Sequence, residues 1–66
     1  MNVQINGRPE LVPDHATVEQ LLEFKHLARQ ACAVEVNKVL VPKKKHKEHR
    51  LQEGDRIEIV TLVGGG

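Results

Sequence analysis

The end of the chain holds the residues best suited to chemistry. Residues 56–63, a strand-like stretch rich in Ile, Val and Leu, run directly into Gly64, Gly65 and Gly66. Glycine has no Cβ and loses more backbone freedom on ordering than any other residue, so a glycine run contributes little to a fold. It can, however, pass through a narrow channel and present the Gly66 carboxylate to another protein. The pattern indicates a carrier that works through Gly66, and the alternative is a frayed chain end.

One cysteine and a pair of histidines are the next candidates. His46 and His49 have a spacing that suits one helical face, but a stable zinc site needs more protein ligands than these two. Cys32 precedes an apolar strand without a nearby base, which favours an apolar-like buried side chain over a nucleophile. We therefore expect no metal site, no catalytic residue and no bound cofactor.

Residues 43–50 form the only charge cluster of the chain. Its basic members are Lys43, Lys44, Lys45, Lys47 and Arg50. The net charge of the whole chain is only +1, and no aromatic residue within the cluster is available to stack on bases. Nucleic-acid binding is therefore disfavoured. A solvated loop is the favoured interpretation, followed by electrostatic steering toward an acidic partner.

Length and composition favour a small binding protein over an enzyme. Sixty-six residues form one domain, and with 39% hydrophobic residues and Phe24 as the only aromatic its core is small and aliphatic. An enclosed active site would take much of that core. With one cysteine, no internal disulfide framework forms, and we expect a reducing, cytoplasmic setting. We also expect no export signal and no membrane anchor, and a mature protein that is the whole chain.

Two short strands are predicted at the start. Residues 2–6 alternate apolar and polar side chains, and Asn6-Gly7 is a strong hairpin signal because both residue types tolerate positive φ. Residues 8–12 should return as the second strand. Pro9 lacks a backbone donor, which places that strand at a sheet edge.

One amphipathic helix and two further strands follow. Thr17 and Gln20 have capping-box spacing, and apolar residues then recur with helical period, which predicts a helix over residues 18–29. Alternation predicts a strand over 33–37, joined by a tight turn to a short strand over 39–41. Charged residues 43–50 lack an apolar stripe and are predicted to be irregular or a single helical turn.

The last strand combines a core face with an exposed apolar face. Ile57 and Ile59 are assigned to the core, which leaves Val60 and Leu62 on the opposite face. Exposed apolar side chains beside a reactive end would suit docking onto a partner. Their burial by sheet twist or by a dimer contact is the alternative.

The order of these elements predicts a fold. A hairpin, a helix that crosses the sheet and a last strand beside the first give an α+β, β-grasp domain over residues 1–63. One main helix packs on a mixed sheet of four or five strands. Residues 64–66 are predicted to be a flexible glycine tail.

The combined features resemble the small sulfur carrier proteins of thiamin biosynthesis, a ubiquitin-like β-grasp family. The similarity spans the chain: the capped helix at Thr17, the Val41-Pro42 step, the Gly54-Asp55 turn, the strand over 57–63 and the glycine end. No single motif is specific, but length, element order and terminus together are. The third glycine and the strongly basic run depart from the family pattern.

The resemblance implies a protein co-substrate and not an enzyme. In that family an adenylating enzyme related to ubiquitin-activating enzymes consumes ATP to activate the terminal glycine. Sulfur, often from a cysteine desulfurase, then converts it to a thiocarboxylate that donates the sulfur to thiazole synthase. By resemblance, Gly66 carries the adenylate and the thiocarboxylate, and Gly64 and Gly65 form the flexible tail.

Three alternatives remain open from the sequence. The small subunit of molybdopterin synthase uses the same terminal chemistry but is usually longer. A ubiquitin-like modifier would join Gly66 to lysines of other proteins. A small RNA-binding domain would depend on the basic run and not on the glycines.

Overall fold

The fold is a five-stranded mixed sheet with one helix across one face, and the computed structural model describes it over residues 1–62. The elements are β1 (Asn2–Ile5), β2 (Arg8–Leu11), α1 (Val18–Phe24), β3 (Cys32–Val36), β4 (Val39–Val41), a 3₁₀ helix (Lys43–Lys45) and β5 (Arg56–Thr61). The strands lie in the order β2-β1-β5-β3-β4. This arrangement confirms the predicted β-grasp fold. The predicted tail over 64–66 and the predicted domain end at 63 lie outside the described residues.

The last strand occupies the centre of the sheet. β5 pairs parallel with β1 at Ile5–Ile57, and antiparallel with β3 from Cys32–Thr61 to Val36–Ile57. A parallel pair cannot be joined by a tight turn and needs a long connection, which here includes α1, β3 and β4. The predicted insertion of the last strand beside the first is therefore confirmed.

Two tight turns set the register of the outer strands. Asn6 and Gly7 have φ values of 51° and 82°, and Asn37 and Lys38 have values of 52° and 69°. Positive φ at both central residues is the signature of the turn whose twist matches that of an antiparallel hairpin. Both predicted turns are present, and Pro9 lies on the edge strand β2 as expected.

The core lies between α1 and the inner face of the sheet. Its most completely buried large side chains are Val18, Leu21, Val34 and Ile57. Each contributes about 1.5–3 kcal/mol by leaving water. Phe24 is 56% exposed, so the core is aliphatic throughout and depends on close packing of branched side chains.

The N-terminus of α1 has the predicted capping box. The Gln20 N–H donates to Thr17 Oγ1 at 3.1 Å, and the Thr17 N–H donates to Gln20 Oε1 at 2.9 Å. Two amides of the helix start are thereby satisfied. No helix within residues 1–62 has the length and apolar character that crossing a bilayer requires.

The C-terminus of α1 differs from the prediction. The helix ends at Phe24, so its predicted continuation to Arg29 was wrong. His26 adopts φ 61°, and the N–H groups of His26 and Leu27 donate to carbonyls of the last helical turn at 3.0 and 2.7 Å. These bonds form a Schellman motif, which usually has glycine at the left-handed position. Because histidine occupies it here, the sequence carried no clear stop signal.

Replacement of His26 by glycine should raise the free energy of unfolding by up to about 1 kcal/mol. A side chain in the left-handed region costs about 1–2 kcal/mol, and the extra freedom of glycine in the unfolded chain offsets part of that gain. Urea unfolding measures the change. His26→Ala is the control, because it removes the exposed side chain and keeps the strain, so it should give no gain. Equal stabilisation by both variants would contradict this explanation of the helix end.

Candidate functional site

The candidate site is the C-terminal end of β5, which leads toward Gly66. The Ile59 N–H donates to Asn6 Oδ1 at 2.8 Å, and Asn6 Nδ2 donates to Ile59 O at 3.2 Å. The Asn6 side chain thus continues the pairing of β1 with β5 beyond the point where the β1 backbone turns away. On the other side of β5, the Leu62 N–H donates to Ala31 O at 2.7 Å. Contacts on both sides therefore hold the last part of β5.

The start of β5 is fixed by a second set of side-chain bonds. Asn37 Nδ2 donates to Asp55 Oδ1 at 3.0 Å, and Asp55 Oδ2 accepts the Gln52 N–H at 2.8 Å. Asn37 Oδ1 accepts the Arg56 N–H at 3.0 Å. Asp55 is buried, and both of its carboxylate oxygens have partners. The sequence indicated only a turn here, because the bonds to Asn37 join residues 18 and 19 positions apart.

The outer face of the sheet exposes apolar side chains near the end of β5. Ile57 and Ile59 are buried as predicted, while Val60 is 57% exposed. Val60 lies opposite Ala33 of β3, and Leu40 of β4 lies opposite Glu35 on the same face. We call Val60, Ala33 and Leu40 the outer patch. Val60 was predicted to be exposed but Leu40 was not, because the position of the β3–β4 hairpin beside β5 follows only from the sheet order.

Leu62 contributes to a different surface. It is 53% exposed and lines a groove of about 810 Å³ between α1 and the basic run. Leu22 and Cys32 supply further apolar lining, Lys43, Lys44 and Lys47 form one wall, and Glu19 and Glu23 form the other. We call this the C-terminal groove. Val60 and Leu62 are both exposed, as predicted, but Leu62 borders the groove on the helix side whereas Val60 belongs to the outer face.

Cys32 is only half-buried. Its Sγ lies 4.0 Å from Leu27 O, and the side chain packs against the edge of the core. The predicted apolar-like contact with the core is present, but burial is incomplete because the C-terminal groove opens beside it.

The basic run is anchored to the helix through its backbone. The Val18 N–H donates to His49 O, and the Glu19 N–H donates to His46 O, both at 3.0 Å. These carbonyls complete the capping of α1, because the first amides of a helix have no partner within it. The predicted single helical turn is present at Lys43–Lys45. The run is therefore part of the fold and not only a solvated loop.

His46 has a structural position that the sequence did not reveal. The ring is buried, and its Nε2 donates to Val41 O at 3.0 Å. Burial of one histidine in an otherwise charged stretch is a tertiary effect that residue types alone do not signal. Within residues 1–62, His, Cys, Asp and Glu side chains form no group of three or more suited to a metal ion.

Comparison with known proteins gives consistent matches along the chain. The sequence model of the ThiS family matches residues 3–66. The sulfur carrier protein ThiS of Bacillus subtilis is 37% identical over 65 residues, which cover 97% of this chain and 98% of that protein. A thiazole synthase of Magnetococcus marinus is 38% identical over 66 residues, which cover all of this chain and 20% of that protein.

A solved structure has the same fold. The crystal structure of a thiamine biosynthesis protein (ThiS) from Geobacter metallireducens superposes with a TM-score of 0.85 at 28% sequence identity. The match covers 100% of both chains. The arrangement of five strands and one helix over the described residues is therefore shared with that protein.

Removal of the Asn6 side chain should destabilise the site end of β5. Asn6→Gly keeps the positive φ of the turn but leaves the Ile59 N–H and carbonyl without their partner, which costs about 1–3 kcal/mol of unfolding free energy. Urea unfolding and hydrogen exchange of the Ile59 amide measure the effect. Lys38→Gly is the control, because it makes the same change of backbone type in the other hairpin, where φ is 69°. If Asn6→Gly and Lys38→Gly have the same free energy of unfolding and the Ile59 amide stays protected from exchange, the hydrogen bonds between Asn6 and Ile59 do not stabilise β5.

Proposed function

The chain belongs to the ThiS family, and on that basis we propose that it is a sulfur carrier of thiamin biosynthesis that is loaded at Gly66. The family predicted from the sequence is confirmed by the match over residues 3–66. Relatives of nearly the same length bear the name sulfur carrier protein ThiS, and their similarity supports a carrier and not a catalyst. We place the carrier in the cytoplasm, where its single cysteine stays reduced.

Loading begins with activation of the Gly66 carboxylate. A carboxylate resists nucleophiles because it is anionic and has no good leaving group. Its oxygen attacks the α-phosphorus of ATP and displaces pyrophosphate, which gives an acyl-adenylate. A sulfur nucleophile then attacks the acyl carbon and AMP leaves, so the sulfur becomes bonded to Gly66. Hydrosulfide gives the thiocarboxylate directly, whereas a persulfide gives an acyl disulfide, which a second thiol cleaves while that thiol is itself oxidised to a disulfide. The end product is a thiocarboxylate, and the ATP is consumed by the partner enzyme.

The proposed partners follow from this chemistry. An adenylating enzyme related to ubiquitin-activating enzymes performs the activation, and a sulfur donor such as a cysteine desulfurase supplies the sulfur. Thiazole synthase receives it. The Magnetococcus marinus protein supports the last assignment, because a sequence similar to this whole chain makes up a fifth of a protein named thiazole synthase.

The observation that best supports a carrier is the way β5 is held. Asn6 bonds β5 on one side and Ala31 on the other, up to Leu62. Four residues follow Leu62, and four residues span at most about 14 Å when fully extended. An enzyme that acts on Gly66 must therefore lie against the end of β5, so the surfaces around that end are the ones available for docking.

Intact mass with fragment mapping tests the proposed loading. After incubation with ATP, the adenylating enzyme and a sulfur source, the mass change should map to Gly66 as a thiocarboxylate. Fragmentation is needed because oxidation of Met1 or Cys32 adds nearly the same mass as exchange of oxygen for sulfur. A plain carboxylate at Gly66, with an enzyme shown to be active on another carrier, would contradict the proposal. Conjugates of higher mass would instead indicate a protein modifier.

Deletion of Gly65 and Gly66 should abolish sulfur transfer and leave the fold intact. β5 ends at Thr61, before Gly65 and Gly66, so the deletion removes no residue of the strand. Thermal unfolding should give nearly the same Tm for the deleted and the full chain, while thiazole formation with thiazole synthase should fall to background. A large drop in Tm would assign the glycines a structural role.

Charge placed on the exposed apolar residues should weaken docking. Val60→Asp and Leu62→Asp should each raise the Kd for the adenylating enzyme about tenfold, because a buried carboxylate at an apolar contact costs more than a kcal/mol. Leu11→Asp is the matched control: Leu11 is 71% exposed but lies on the edge strand β2. Titration by calorimetry measures Kd, and Tm checks folding. Unchanged affinity would remove that residue from the docking surface.

A further inference from the structure

The C-terminal groove has walls of opposite charge. Lys43, Lys44 and Lys47 line the side formed by the basic run, and Glu19 and Glu23 line the side formed by α1. A segment that enters the groove therefore meets attraction on one wall and repulsion on the other. Such an arrangement selects the orientation of a charged ligand as well as its sign.

The lysine wall stands on an ordered base. The carbonyls of His46 and His49 accept hydrogen bonds from amides of α1, and His46, which also lines the groove, is buried. Lys45 pairs with Glu48 at 3.5 Å, whereas the three lysines of the wall form no ion pair with any group in residues 1–62. A fixed backbone reduces the entropy lost on binding, which makes these three charges suited to specific recognition.

The floor of the groove gives an apolar contact at the point where the chain leaves the sheet. Leu22 and Leu62 line it, and Leu62 is the last described residue before the four that end in Gly66. Because those four residues span at most about 14 Å, a protein that holds Gly66 is brought against the groove. The groove is therefore adjacent to the partner whenever the terminus is in use.

We propose that the C-terminal groove binds an acidic segment of the enzyme that acts on Gly66. Carboxylates of that segment lie on the wall of Lys43, Lys44 and Lys47, and an apolar side chain contacts Leu22 and Leu62. Glu19 and Glu23 repel the carboxylates and so hold them on the lysine side. The inference rests on the proposed function for the identity of the partner, and on the charge and shape of the groove for the chemistry of the bound segment.

The same features disfavour a nucleic acid in this groove. The wall of Glu19 and Glu23 repels phosphates, and Phe24, the only aromatic of the chain, does not line the groove to stack on a base. A protein segment avoids the repulsion because its carboxylates can lie on one side only, and it needs no aromatic residue to stack on.

Charge reversal on the lysine wall tests the proposal. Lys43→Glu combined with Lys47→Glu should lower the association rate with the adenylating enzyme at least tenfold at low salt and remove most of its salt dependence. Arg8→Glu combined with Lys38→Glu is the matched control, since it changes the net charge equally at two exposed sites outside the groove. Stopped-flow mixing at several salt concentrations measures the rates. Equal effects of the two pairs would overturn the proposal.

Two further variants sharpen the test. Glu19→Gln combined with Glu23→Gln should raise the association rate about two- to threefold, because the repulsive wall is removed. Loading of Gly66 at saturating enzyme should remain normal in every variant, because the groove acts in docking and not in the chemistry. A loss of loading at saturation, with docking unchanged, would overturn the inference.

A peptide probe separates this inference from the proposed function. If the native chain is never loaded at Gly66, the proposed function fails, and the groove is then tested with a fluorescent peptide of alternating glutamate and leucine. Binding that is weakened by the Lys43 and Lys47 reversal, and not by the control pair, supports the groove as an acidic-segment site. Binding of single-stranded RNA in preference to the peptide would overturn it. A marked gain in peptide affinity when Gly64–Gly66 are deleted would also overturn it, because the gain would mean that the chain's own terminus occupies the groove in the full chain.

Discussion

The structure depends on holding one strand at the centre of a very small sheet. β5 has β1 on one side and β3 on the other, and each flanking strand belongs to its own hairpin. The backbone pairing with β1 is brief, so the Asn6 side chain takes its place at Ile59 and bonds both the N–H and the carbonyl. One amide side chain at a hairpin turn thus serves two elements, because it both permits the turn and extends the sheet.

The basic run shows how a stretch with almost no apolar residues becomes part of a fold. Its contribution comes from the main chain, whose carbonyls cap α1, and from His46, whose ring is buried. The lysine side chains are not needed for these contacts and remain in solvent. The backbone of His46 and His49 thereby supports the fold while the lysine side chains of the same run stay exposed, which lets a small domain carry a charged surface without loss of core.

The parts of the fold that follow local rules were predictable, and those that depend on distant partners were not. Asn6-Gly7, the Thr17 capping box and the alternation at Ile57 and Ile59 each act within a few residues, and the structure confirms them. The end of α1 was missed because His26 takes a conformation that glycine usually adopts. The bridge from Asn6 to Ile59, the burial of His46 and the position of Leu62 in a groove arise only when separate elements meet. For the candidate site, the exposure of Val60 and Leu62 could be inferred from the alternation of the strand. The surface on which each of them lies could not.

The pairing of the first strand with the last also governs when the chain acquires its structure. Asn6 and Ile59 are 53 positions apart, and every contact of β5 with its neighbours waits until the final tenth or so of the described chain has been made. At about 5–20 residues per second, roughly 3–10 s separate the synthesis of β1 from that of β5. During this interval both hairpins can form, but the edges of β1 and β3 that later pair with β5 are unpaired, and the central strand of the sheet is absent. The sheet is therefore completed only once β5 has been made and has entered between β1 and β3.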